Sequence, residues 1–139
     1  MLKIKLTVAL IILFTGFSFA QNADVIIGKY LLPNDLEVEL FKQDGKYFGK
    51  IVGLNNYRDG ETRDVKNSDS SKRNDLLLGK LIIKDLEYDA EEKIWVNGEM
   101  YGPDKGINVN LKITEVTETG IIIVGSKYIM RKTMEWKRI

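Results

Sequence analysis

The sequence holds no cysteine and no histidine in 139 residues. Disulfides, zinc sites built on Cys and His, Ser-His-Asp triads and Cys-His nucleophile pairs are therefore excluded. An excess of one charge is lacking too, since 21 Lys and Arg stand against 20 Asp and Glu for a formal charge of +1. A chain so balanced has no whole-molecule field with which to gather nucleic acid, and no nucleic-acid partner is expected.

The first twenty residues read differently from the rest. Lys3 and Lys5 make a positive start, Leu6 to Phe14 is apolar except for Thr7, and Ser18-Phe19-Ala20 places small residues where a signal peptidase cuts. The apolar run is well short of the roughly 20 residues that cross a bilayer. The pattern predicts a signal peptide over 1–20, cleaved after Ala20, and a periplasmic or secreted protein with no segment left for stable membrane insertion. Residues 21–139 then form one domain of 119 residues with a formal charge of −1, because both lysines of the first twenty leave with it. That length is enough for a self-sufficient core.

Within those residues no amphipathic helix is legible. Short runs of β-branched and aromatic residues recur instead between turn signals, which predicts strands near 25–32, 36–42, 46–54, 77–84, 93–101, 107–115, 121–126 and 130–138. Asp44-Gly45 suits a two-residue hairpin turn. From it the register follows outward, pairing Gln43 with Lys46, Phe41 with Phe48, Leu40 with Gly49, Glu39 with Lys50 and Val38 with Ile51. A second hairpin is signalled by Gly102-Pro103-Asp104-Lys105-Gly106, followed by the clean alternation from Ile107 to Ile113. Eight short sequential strands predict an all-β fold, a single antiparallel up-and-down β-barrel, with an open sandwich as the alternative.

One connection is long. Residues 55–75 carry only Tyr57 and Val65 as sizeable apolar side chains. Loops of this length are uncommon unless functional or disordered. Its carboxylates Asp59, Asp64, Asp69 and Asp75 follow no EF-hand spacing, so Asx turns are expected rather than a metal site.

Several motifs taken in order resemble an exported bacterial family, domain-of-unknown-function family 2147, whose members look like small calycin barrels related to lipocalins and streptavidin. They are Gly28-Lys29-Tyr30, Asp44 to Ile51, Asp64-Val65-Lys66-Asn67-Ser68-Asp69, Leu77-Leu78-Gly79, Trp95 to Tyr101 with Pro103 and Gly106, and Lys132 to Arg138. The resemblance implies a lipocalin- or streptavidin-like barrel over the mature chain. Where calycins show Gly-x-Trp this chain has Gly28-x-Tyr30, and the arginine of the last strand is expected at Arg131 or replaced by Lys132.

The leading functional expectation is a binder of a small apolar or amphipathic ligand in the cell envelope, with Tyr30, Tyr47, Trp95, Tyr101, Lys132 and Trp136 as candidate contacts. Glycines 49, 53, 79 and 98 either leave interior space or relieve bends. The basic residues Lys127, Arg131, Lys132, Lys137 and Arg138 offer a cationic rim to an anionic headgroup or carboxylate. The alternative is an interaction module or inhibitor that meets an envelope protein through the 55–75 loop, with Tyr57, Arg58 and Arg73 as its contacts. No cofactor is expected, and no catalytic residue is assigned: Glu37, Glu39, Glu99 and Glu135 lack a recognisable activating partner.

Overall fold

The computed structural model describes residues 22–139; the expected signal peptide lies outside them. Eight antiparallel strands close into a barrel in which every strand pairs with its neighbours in sequence, and the last pairs with the first. They are β1 (Gly28–Leu31), β2 (Glu37–Gln43), β3 (Lys46–Gly53), β4 (Leu81–Asp89), β5 (Ile94–Gly102), β6 (Ile107–Val116), β7 (Gly120–Lys127) and β8 (Met130–Arg138). The expected up-and-down barrel is the observed one, and the sandwich is excluded.

The β2–β3 hairpin follows the sequence register pair by pair, from Gln43↔Lys46 to Val38↔Ile51. Val38, Leu40 and Ile51 point into the core, while Phe41 and Phe48 stack outside at 6.0 Å between centroids. Each such cross-strand pair contributes roughly 0.2–1 kcal/mol.

Two expected strands are corrected. The first begins at Gly28 rather than residue 25, because Ala23–Ile26 form a 3₁₀ turn capped by the Asn22 side chain, whose oxygen accepts from the Asp24 N–H at 2.9 Å. The fourth spans Leu81–Asp89 instead of 77–84. Asp85 sits at φ 63° and shifts the inward phase, so that Ile83 and Leu86 both enter the core with two polar residues between them. A bulge of this kind erases the two-residue alternation on which a strand is recognised.

The two ends of the barrel are built differently. At one end lie the 3₁₀ turn and the hairpins β2–β3, β4–β5 and β6–β7; at the other lie the hairpins β1–β2, β5–β6 and β7–β8 and the long connection between β3 and β4. That connection is ordered. It contains short 3₁₀ turns at Tyr57–Asp59 and Ser70–Lys72, an isolated bridge between Arg63 and Leu76, and Asx turns in which Asn67 accepts from the Asp69 N–H and Asp69 from the Ser71 N–H.

Closure is short. β1 and β8 pair only at Tyr30↔Arg138 and Leu31↔Lys137. Toward the loop end, β8 keeps β7 as its one strand partner, through Ile121↔Trp136 to Lys127↔Met130.

Candidate functional site

At the turn-capped end, four of the six expected ligand contacts converge, but as a plug. Tyr30, Tyr47, Trp95 and Trp136 are all essentially inaccessible to solvent. Three of them tie down the 3₁₀ turn: Tyr30 Oη donates to the Ile26 carbonyl at 2.7 Å, Trp95 Nε1 donates to the Ala23 carbonyl at 3.1 Å, and Tyr47 Oη donates to the Asp24 carboxylate. Burial, and then the bond to Asp24, raise the Tyr47 phenol well above its ordinary value. The same bond, followed by the Lys42 ammonium, holds Asp24 below the usual carboxylate range.

The cation over the first-strand aromatic is Arg138. Its guanidinium lies 5.0 Å from the Tyr30 ring centroid and donates to the Tyr30 hydroxyl and the Val25 carbonyl, both at 2.7 Å, and to the Ile27 carbonyl at 3.2 Å. This corrects the expectation of Arg131 or Lys132, both of which are exposed beyond the plug. The physical reason is register: the pairing Tyr30↔Arg138 puts residue 138, and neither 131 nor 132, opposite the ring. Gly28 makes room, since a Cβ there would stand 2.7 Å from Arg138 Nη1.

Trp136 differs from its neighbours. Its Nε1–H is buried and has no hydrogen-bond partner among the described residues. Such a group costs about 1–3 kcal/mol unless something accepts from it.

Toward the loop end the inward columns of three adjacent strands open progressively. On β6, Ile113 and Leu111 are buried, Val109 is half-buried and Ile107 is exposed. On β7, Ile121 and Ile123 are buried and Gly125 is half-buried. On β8, Trp136 is buried, Met134 half-buried and Lys132 exposed. The unbroken β7–β8 register sets Lys132 beside Gly125 and Met134 beside Ile123. The mouth therefore lies over β6–β8, beside the short β1–β8 seam, with Lys132 at its rim.

The other half of the barrel is filled. A Cβ on Gly49 would meet Ile83 and Leu40 within 3.0 Å, and one on Gly98 would meet Leu86 at 2.6 Å. Those glycines admit neighbouring side chains, so the expected interior space is absent at both. Gly125 differs, its Cβ position meeting only Val109 at an ordinary 3.7 Å.

Tyr101 stands apart from the other expected contacts. It alternates with inward Met100 and lies on the outer face of β5, where its hydroxyl donates to Asp64 Oδ1 at 2.7 Å. Burial, then that bond, raise its phenol above the ordinary value. Asp64 is buried at the hub of the long connection: Asn67 Nδ2 donates to its other oxygen at 2.8 Å, and Lys80 Nζ approaches at 3.3 Å. The sequence marks this aspartate as the start of the Asp64–Asp69 motif and as one of the loop's Asx-turn carboxylates, but not as a hub. A polar groove of about 290 Å³ runs beside it, lined by Lys72, Lys80, Lys84, Glu99, Tyr101 and Asn108.

The three residues expected to meet a protein partner hold the connection in place. Tyr57 is buried, its hydroxyl on the Asp104 carboxylate. Arg58 pairs with Glu61 at 3.1 Å, and Arg73 Nε donates to the Asn67 carbonyl at 2.8 Å.

A plugged base and an up-and-down barrel of eight strands define a lipocalin-like fold. The model of the family described as "Uncharacterized protein conserved in bacteria (DUF2147)" matches residues 28–138, and the chain belongs to that family. Among solved structures it is similar to protein HP1028 from the human pathogen Helicobacter pylori, described as belonging to the lipocalin family. That likeness has a TM-score of 0.69 at 22% identity and covers 82% of each chain. No curated protein matches the sequence.

Proposed function

We propose that this chain is an exported binding protein whose mouth over β6–β8 takes a small amphipathic anion, with an apolar tail directed into the barrel and a carboxylate-like head at Lys132. The observation that carries the reading is the β8 column, which passes from buried Trp136 at its foot through a flexible half-buried Met134 to an exposed cation at Lys132. Apolar walls from Met100, Val109 and Ile123 suit a hydrocarbon chain, each buried methylene of which contributes about 0.8 kcal/mol. Lipocalin-like barrels with one loop-flanked mouth are suited to one small ligand. Export rests on the N-terminal pattern of Lys3, Lys5, the apolar run and Ala20.

Native mass spectrometry of the protein purified from its own cells tests both halves. The expected spectrum shows a chain beginning at Gln21 that carries a small-molecule adduct, released by organic solvent and containing an acidic group. A bare chain that also fails to take up added long-chain carboxylates overturns the ligand, and an intact N-terminus overturns export.

A further inference from the structure

The β7–β8 hairpin breaks a local rule for no reason the fold supplies. Its two turn residues are Tyr128 and Ile129, 93% and 100% exposed, and Met130 beside them is 76% exposed. Tyr128 adopts φ 55°, a left-handed conformation unusual for a bulky residue. A two-residue turn with positive φ at its first position prefers glycine there. Three large apolar side chains thus stand in solvent at a place where small polar residues would make the better turn.

Their surroundings are cationic. Lys127 precedes the turn, with its ammonium 5.8 Å from the Tyr128 ring centroid, and Arg131 and Lys132 follow it. The adjacent β5–β6 hairpin adds Lys105 and the exposed Ile107, since Asn110↔Ser126 sets Ile107 level with the turn. The carboxylate on that hairpin, Asp104, is engaged by Tyr57 and Asn34. The remaining acids of this end lie away from the tip in sequence: Asp35 and Glu37 where β1 turns into β2, and Asp59, Glu61, Asp64, Asp69 and Asp75 in the long loop.

An apolar tip ringed by lysine and arginine is the pattern of a peripheral membrane anchor: the apolar side chains enter the headgroup boundary while the cations meet anionic headgroups. We infer that the Tyr128-Ile129-Met130 tip docks this protein onto an anionic lipid bilayer. The tyrosine ring suits the interface, with an apolar body and a polar tip. The inference is independent of any ligand in the barrel, because the tip residues lie beyond the mouth and the assay contains no such ligand.

Sedimentation with phospholipid vesicles tests it. The full mature chain is expected to sediment with vesicles of phosphatidylglycerol mixed into phosphatidylcholine, more weakly as salt is raised, and to stay in solution with phosphatidylcholine alone. Tyr128→Gly with Ile129→Ser gives the turn its preferred residues, so the fold is retained and binding is expected to fall at least tenfold. Lys127→Gln and Arg131→Gln are each expected to weaken it about fivefold, the factor that corresponds to roughly 1 kcal/mol per basic residue at such a surface. Wild-type protein that stays in solution with both vesicles, or a tip variant that sediments like wild type, overturns the inference. So does a concentration-dependent dimer that the tip variant abolishes, for it assigns the tip to a second copy.

Discussion

The guanidinium of Arg138 lies 5.0 Å from the Tyr30 ring centroid and accounts for three hydrogen bonds at once, to the Tyr30 hydroxyl and to two carbonyls of the N-terminal segment. The last strand is thereby locked to the first and to the turn that plugs the base. A lysine cannot reproduce the fork, having one point charge where the guanidinium spreads five donors. Arg138→Lys is expected to lower stability by about 1–2 kcal/mol, seen as a lower urea midpoint with an unchanged slope. An unchanged midpoint contradicts the lock.

Gly106 lets the β5–β6 turn touch the long connection. A Cβ there would stand 1.9 Å from the Lys66 carbonyl, and its φ of 67° disfavours any side chain. Gly106→Ala is expected to cost about 1–3 kcal/mol and to speed amide hydrogen exchange across residues 61–79 while the barrel strands stay protected. Tyr101→Phe, which takes one donor from buried Asp64, is expected to act in the same direction more weakly. Uniform loss of protection across barrel and loop argues against this local docking.

Acid stability follows from the carboxylates. Asp24 is held low first by the Tyr47 hydroxyl and then by Lys42, Asp69 by the Ser71 side chain, and Glu87 by Lys46. Folded values below the unfolded ones mean stability that is present above about pH 4 and lost as pH falls through the folded values. At the alkaline end the sign reverses. Tyr47, Tyr57 and Tyr101 are raised, chiefly by burial, so their contribution is complete below about pH 10 and lost as pH rises through the folded values. Urea midpoints plotted against pH should form a plateau that falls at both ends, and Asp24→Asn should flatten the acid fall.

Gly125 is a place to narrow the mouth. A Cβ there finds only Val109, at 3.7 Å, so Gly125→Ala is expected to keep the thermal midpoint within a few degrees and Gly125→Leu to cost at most about 1–3 kcal/mol. Its side chain would occupy the space beside Met134 and Lys132, and binding of a long-chain carboxylate should fall at least tenfold by calorimetry. Full affinity in a folded Gly125→Leu protein places any ligand elsewhere.

Much of the barrel was legible in the sequence because its signals are local. Asp44-Gly45 set the β2–β3 register to the residue, and the alternation from Ile107 to Ile113 marked β6. The misread elements are those in which distant contacts decide. Asp85 breaks the alternation of β4 because the bulge lets Leu86 reach the core, and Ala23–Ile26 leaves the strand because Tyr47, Trp95 and Arg138 hold it from other strands. For the candidate site the sequence offers aromatics, but whether Trp95 plugs the base or meets a ligand depends on a carbonyl 72 residues away, at Ala23. The role of Asp64 was hidden for the same reason, since its partners Tyr101 and Lys80 come from outside its own turn. The unpartnered nitrogen of Trp136 leaves no trace in sequence at all.

The two tryptophans provide the most direct test, because Trp136 stands at the foot of the β8 column below Met134 and Lys132, whereas Trp95 is held in the plug. Trp95 donates to the Ala23 carbonyl, whereas Trp136 has no partner among the described residues. Titration of nitrogen-15-labelled protein with a long-chain carboxylate, following both indole resonances, should shift the Trp136 signal and leave that of Trp95 in place, with Lys132→Glu weakening the effect. Two indole signals unmoved at saturating carboxylate would contradict a ligand in the mouth over β6–β8.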